Sequence, residues 1–487
     1  PANSAAGGGF NIDNSCRFNS GDDCKISRTS PNSSPTNIDK FTLSCWVKRS
    51  TLGTDSQIFD TYNGSSGGQF QMYFKSDDTL RVQVWNSSNK AEFIPNRKFR
   101  DVSAWMNIIF VYDSTPSTPS SSSIKLFING IQETSFATET YPSQNTDGEF
   151  AIQNHIQMIG TNAGNSTDFG GYMAEVIGVD GQALAHTQFG EFDEDSPTIW
   201  KPIDVSSINV GTLGFYLDFE DSSALGNDVS GVLDFEDSAN LGNDANGGTD
   251  FTEYNLAATD QSTDTCTNNF ITMNPLDNFF PDFTFSDGNL TITSGGNYSF
   301  PQATIHVAKG KWYWEVKPVS KASGGNEYMV GIQGRSSTAI NQAPQQGGNT
   351  GIAYYGVDGD SYGFGGGATD YGDAYAADDI IGVALDIDNL KIYFSKNGTF
   401  QNSGDPTSGS TGTGALSITA ISSVPQGGYS PVAGFYDSPE AVLSFNFGSP
   451  PYAVSSGNAD GDGFGNFEHA VPSGYFSLCT KNLAEYG

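Results

Sequence analysis

Apolar and polar residues alternate with a period of two along most of the chain. In "FTLSCWVK" one face carries Phe41, Leu43, Cys45 and Val47, and the other Thr42, Ser44, Trp46 and Lys48. "NIIFVYD" (107–113) and "KIYFS" (391–395) repeat the pattern. This is the period of β-strands, whose successive side chains point to opposite faces. Two hairpins are predicted, one turning at Asn129-Gly130 and one at Asn397-Gly398, because both residue types tolerate the positive φ of a tight turn. With 58 glycines and 21 prolines as punctuation, long helices have no room; the most helix-like stretch is the short "GQALAHTQFGEF" at 181–192. An all-β protein is expected.

Composition then divides the chain. Strand-rich segments at 8–202 and 281–448 flank an acidic segment rich in Asn, Asp, Gly and Thr at 203–280, and a Gly- and Pro-rich tail fills 449–487. The two similar hairpins suggest two sandwiches of related design, joined by the acidic connector. "STPSTPSSSS" (114–123) reads as an exposed low-complexity loop. Within the connector, "LDFEDSSALGNDVSG" (217–231) returns almost unchanged as "LDFEDSANLGNDANG" (233–247).

Charge narrows the function. Twenty-two basic residues face 55 acidic ones, a formal net charge of −33. That excludes a nucleic-acid binder, which needs a basic footprint, and disfavours anionic membranes. It suits a protein of salty surroundings, or one that holds cations. No run of 18 apolar residues suggests membrane insertion, and residues 1–14 have neither the basic nor the apolar segment of a secretory signal. The five cysteines, Cys16, Cys24, Cys45, Cys266 and Cys479, support no disulfide framework. Cys16 and Cys24 flank a turn and could be bridged, while the plainer expectation is free buried thiols.

The repeat does not fit an EF-hand: counted from Asp218, the position requiring Gly is Ser223 and the one requiring Glu is Val229. Each copy reads more simply as one strand and one Asx-rich turn. If the repeat does bind a cation, calcium is the expected one, with Asp218, Glu220, Asp221 and Asp228 as ligands. A glucanase signature, Glu-x-Asp-x-x-Glu on one strand, is approached only by "EFDEDSP" (191–197), with Glu191 and Asp193 in place but Ser196 at the third carboxylate position and Pro197 after it. No catalytic residues are assigned and no enzyme is expected. The stretch 353–379, rich in Tyr, Gly, Ser and Asp, has the composition of a binding loop. Its alternative reading makes Tyr354, Phe364 and Tyr375 core residues. Tyr362, Tyr371 and Asp373 are the first-choice ligand contacts, and Asn63 and Trp85 the second. Contact is expected through loop ends, since sheet faces are taken to be committed to cores.

Several motifs resemble known families. "GKWYWEVKP" (310–318), "YMVGIQG" (328–334), "DDIIGVALDIDNLKIYFSKNGTF" (378–400) and "LSFNFGSPPY" (443–452) together resemble a SPRY domain. "CRFNSGDDCKISRT", "FTLSCWVKRS", "FRDVSAWMNIIFVYDS", "IKLFINGIQ" and "GGYMAEVIGVDGQAL" resemble a laminin-G, or concanavalin A-like, module. The pair, with "GNDANGGTDFTEYNL", "TDTCTNNF", "MNPLDN" and the closing "VPSGYFSLCTKNLAEYG", is similar to virion appendage proteins of tailed phages, many of them marine. That group usually carries the acidic element once, whereas here it occurs twice. The resemblance implies two concanavalin-like antiparallel β-sandwiches and a tail-fibre or similar role on the virion surface. It implies a host-surface glycan or receptor as ligand, and as partners other virion structural proteins and further copies of the chain in a homo-oligomer. A structural head-fibre or capsid-decoration role is the alternative, and a carbohydrate-active enzyme a more distant one.

Overall fold

The computed structural model describes residues 9–63, 67–230, 250–276, 283–295, 299–321, 325–334, 351–363, 367–435 and 440–487. Pro1–Thr267 and Asn268–Gly487 form separate compact units. Each is built on antiparallel sheets, and the one α-helix among the described residues is the short Thr480–Tyr486. No helix among them is long and apolar enough to cross a membrane.

In the first unit, one sheet is centred on the long strands Lys40–Arg49 and Gly171–Asp180, the other on Ser56–Tyr62, Gln69–Phe74 and Leu80–Trp85. Phe41, Leu43, Cys45 and Val47 face a core shared with Phe59, Phe70, Met72, Val82 and Val84. Aromatic rings fill its middle, with Phe41 stacked on Phe150 at 4.8 Å and on Tyr112 at 5.1 Å. The opposite face of the first sheet is also covered. Trp46, Ile109, Tyr172 and Ile177 meet Ile12, Phe189, Trp200 and Val205 in a second apolar layer. Both predicted hairpins form, with Ile128 opposite Ile131 and Lys396 opposite Thr399. Asn129 and Gly130 take φ of 49° and 73°. A Cβ on Gly130 would meet the Trp200 ring at 2.1 Å, so the position needs glycine for space as well as for φ. The stretch 181–192 gives only a 3₁₀ turn, His186–Gln188, followed by the strand Gly190–Phe192.

Residues 203–230 and 250–267, expected as part of a connector, are built into the first unit. Phe215–Leu217 pairs with Gly171–Asp180, Thr252–Tyr254 with Lys25–Thr29, and Gln261–Ser262 with Ser15–Phe18. Leu217, Phe219 and Leu225 of the first repeat copy enter the core. The second copy, 233–247, lies outside the described residues. At the spacing of the repeat, Phe215 and Tyr216 correspond to Gly231 and Val232. The second copy therefore lacks the rings that anchor the first: Phe215 packs on Phe59 and Phe251 at 5.7 and 5.0 Å. The chain on either side of the second copy is already adjacent, since the Asp228 N–H reaches Asp250 Oδ1 at 3.2 Å and the Phe251 N–H the Gly226 carbonyl at 3.1 Å. Deleting Val232 through Gly247 leaves Val229, Ser230, Gly231, Gly248 and Thr249 to close that gap. The deletion is expected to leave a folded protein melting within a few degrees of the parent. A fall of tens of degrees would show that the second copy belongs to a core.

In the second unit, a broad sheet centred on Lys311–Ser320, Ile381–Asp386 and Lys391–Lys396 faces a four-stranded sheet centred on Tyr328–Gln333. Trp312, Trp314, Val330, Tyr354, Val383 and Phe394 lie between them. The segment 449–487, expected as a tail, completes this unit. Phe467 and Tyr475 cover Tyr313 and Tyr393 on the outside of the broad sheet, and Phe476–Ser477 adds a parallel strand. Glu315 holds this segment in place: its buried carboxylate accepts the backbone N–H groups of Glu468 and His469 at 2.9 and 2.8 Å.

Candidate functional site

Since the first sheet of the first unit is covered on both sides, that unit presents the outer face of its second sheet. The register fixes what stands there. Phe70, Met72, Phe74, Leu80, Val82 and Val84 point inward, so Gln69, Gln71, Tyr73, Arg81, Gln83 and Trp85 point outward. Strand pairing aligns Asp60, Gln71, Gln83 and Glu92 in one row. Neighbouring rows hold Gln69 opposite Trp85 and Tyr73 opposite Arg81.

Hydrogen bonds hold this face rigid. Arg81 donates to Glu92 Oε1 and to the Tyr73 hydroxyl, each at 2.7 Å, and Asn89 donates to Glu92 Oε2 at 2.8 Å. Gln69 donates to both oxygens of Asp60 at 3.0 and 3.2 Å, and the Ala163 N–H adds a third bond at 3.0 Å. Burial nonetheless raises the Asp60 carboxyl to about 7, against the opposing pull of these hydrogen bonds. Asn86, beside Trp85, donates to the buried Glu149 at 2.6 Å. Trp85 itself is 38% exposed. Trp85 pairs with Gln69 and Asn89, so a partly exposed ring stands among polar side chains, an arrangement able to stack on an apolar face and to hydrogen-bond beside it.

Asn63 and Trp85 lie at the same end of this sheet, Asn63 directly after the strand Ser56–Tyr62 and Trp85 closing Leu80–Trp85. The structure thus brings the second-choice pair to one end of the sheet, Trp85 on a strand and Asn63 in the loop that follows one. Alternation could have found Gln69, Gln71, Gln83 and Glu92, because each occupies the polar phase of its strand.

The first-choice residues are dispersed. Tyr371 is 4% exposed, inside the core of the second unit, and its hydroxyl accepts the Phe394 N–H at 3.1 Å. It is a packing residue, placed there by its contacts with Tyr354 and Phe394. Tyr354 and Tyr375 are likewise buried, while Phe364 lies outside the described residues. Tyr362 is half-buried against Tyr355, with ring centroids 5.5 Å apart, and Asp373 is exposed.

The four carboxylates named for calcium do not act together. Asp228 is buried and ion-paired with Arg28 at 2.8 Å, and it also accepts the Tyr216 N–H at 2.9 Å. Asp218 accepts the Glu220 N–H, and Asp221 caps a turn through Ser223. No group of three or more potential metal-holding side chains occurs among the described residues. Chelation at constant ionic strength is expected to leave the melting temperature unchanged; a fall would place a stabilising cation on the native state. Glu191 and Asp193, the nearest approach to a glycosidase pair, both pair with Lys201, at 3.3 and 3.7 Å, and Asp193 caps the turn at Asp195 and Ser196. All five cysteines are buried free thiols.

Residues 20–181 match the family profile of the concanavalin A-like lectin/glucanases superfamily. Residues 311–450 match that of the SPRY domain. A comparison with curated protein sequences finds no match. Among solved structures, the chain is similar to the SPRY domain of human HERC1, at 18% identity over 36% of this chain and 96% of that one, with a TM-score of 0.29. It is similar to a SAP-like pentraxin from Limulus polyphemus, at 16% identity over 36% and 80%, with a TM-score of 0.26. It is also similar to the fourth domain of an extracellular arabinanase from Geobacillus stearothermophilus in complex with arabinotriose, at 16% identity over 38% and 82%, with a TM-score of 0.26. The chain therefore joins a domain of the concanavalin A-like lectin/glucanases superfamily to a SPRY domain.

Proposed function

We propose that this protein is a non-enzymatic glycan-binding protein that engages sugar through the outer face of the second sheet of its first unit. The observation that carries this reading is exposed Trp85 on the same sheet face as the partly exposed Gln69, Gln71, Tyr73, Arg81 and Glu92. The superfamily of the first domain supports it. The finer reading, an adhesin on a tailed-phage virion with a host-surface glycan as ligand, rests on the resemblance of the connector and closing motifs. Gold-labelled antibody on purified particles tests it: label on tail fibres supports host attachment, label on the capsid supports decoration, and unlabelled particles remove the virion from the account.

Binding energy concentrates in buried aromatic contacts. Trp85→Ala is expected to weaken glycan binding by about 2 kcal/mol, roughly 30-fold in Kd, while the protein stays folded, since Trp85 lies outside the apolar core. Unaltered glycan affinity in this variant would move the site elsewhere.

A further inference from the structure

Three of the chain's 22 basic residues fall within four positions, Arg97, Lys98 and Arg100 in "RKFR". The segment follows the strand Asn89–Pro95, at the opposite end of the sheet from Trp85. These residues line an open cleft of about 200 Å³ with Phe99, Asp101, Trp105, Met106, Ile128 and Asn129. That is room for several waters or one small solute.

The two arginines are held by carboxylates that sit further inside. Arg100 is tied through Nε to Asp78 at 2.8 Å; the arginine side chain is 60% exposed and the aspartate 7%. Arg97 is tied through Nε to Glu133 at 3.6 Å, with exposures of 51% and 14%. Lys98 donates to the Asp77 carbonyl at 2.6 Å and lies 3.1 Å from its carboxylate, which is itself exposed. Counting Arg49, which also pairs with Asp78, and the exposed carboxylates of Asp77 and Asp101, the charges balance, and the two most exposed guanidinium groups, Arg97 and Arg100, face solvent. Neither terminal nitrogen of Arg100 donates to a described residue, so its fork is left for a partner. The loop is rigid beneath it: the Phe99 N–H donates to the Asp78 carbonyl at 2.8 Å, and the Phe99 carbonyl accepts Arg49 at 2.6 Å. Trp105 is fixed by its indole N–H on Asp264 at 2.9 Å. In a chain of net charge −33, an open guanidinium fork beside an apolar floor is a local exception, although Asp101 also lines the cleft.

We infer that the cleft binds the carboxylate of an acidic sugar unit, a uronate, with Arg100 and Arg97 gripping the planar anion and the apolar floor meeting the ring. Guanidinium matches carboxylate geometry bidentately. The choice of a sugar as carrier rests on the glycan-binding reading above.

Isothermal titration of the full chain with short oligogalacturonates and with their methyl esters, identical except for charge, tests it. The acid form is expected to bind roughly tenfold more tightly than the ester, the effect of a charge-assisted pair, with the preference weakening in salt. Arg97→Gln with Arg100→Gln should abolish the preference while leaving the melting curve near the parent's. Trp85→Ala should weaken acid and ester alike and keep the preference, which separates failure of this cleft from failure of the sheet-face site. Equal binding of acid and ester, or a preference that survives the double substitution, overturns the inference. Binding of dextran sulfate without binding of the uronate overturns the carboxylate assignment.

Discussion

Replacing Asp264 by alanine is expected to destabilise the first unit by about 3–5 kcal/mol, the cost of leaving a buried charge uncompensated. Asp264 and Lys48 are both nearly inaccessible, with Nζ and Oδ2 at 2.7 Å, and the other carboxylate oxygen accepts the Trp105 indole N–H at 2.9 Å. The Lys48 ammonium lies 5.5 Å from the Tyr172 ring centroid and in an apolar layer, where water does not replace a lost partner. A loss of this size lowers the melting temperature by roughly 6–20 °C for a unit of this length. Removing both charges, Lys48→Met with Asp264→Leu, should recover most of it, because a buried pair is often matched by apolar residues of similar volume. If the double variant is no more stable than the single one, uncompensated charge is not the cause. The pair also fastens the former connector to the sandwich, so hydrogen exchange around residues 261–267 should rise in the single variant.

Glu175→Gln is expected to stabilise the protein progressively as pH rises. Glu175 is buried and accepts the Tyr216 hydroxyl at 2.6 Å. Burial, reinforced by the charges of Asp218, Glu220 and Asp204, raises its carboxyl from 4.5 to about 8. A folded-state pKa raised above the unfolded one means the native state holds the proton longer. The stability this contributes is fully present below 4.5 and is lost as pH rises toward 8. Each pH unit across that window costs up to about 1.4 kcal/mol per proton. Glutamine keeps the hydrogen bond to Tyr216 and cannot ionise. Melting curves of the two proteins should therefore nearly coincide in acid and separate by a few kcal/mol at pH ~8. A difference that stays constant across the window would mean Glu175 does not titrate there. Asp60, raised to about 7 by burial, adds a slope of the same sign to both proteins and drops out of the comparison.

The alternation of residues was enough to place the strands, the two Asn-Gly hairpins and the all-β class, because these depend on local geometry: a period of two, and a turn that only certain residues tolerate. The motifs were enough to order a concanavalin-like domain before a SPRY domain. Alternation also sorts side chains into two faces, but it does not say whether a face meets water. Trp46 and Lys48 share the polar phase of their strand with Thr42 and Ser44, yet segments more than a hundred residues away cover all four. Trp85 occupies the polar phase of its own strand and stays 38% exposed. Tyr362 and Tyr371 look alike within one loop-like stretch, and only the packing of Tyr354 and Phe394 around the second makes it core. The acidic repeat read as connector and cation site for the same reason. The partners of Asp228 and Asp264 are Arg28 and Lys48, 200 and 216 positions away, and a carboxylate's role is set by which cation folding brings to it, a distance in space that no spacing along the chain encodes.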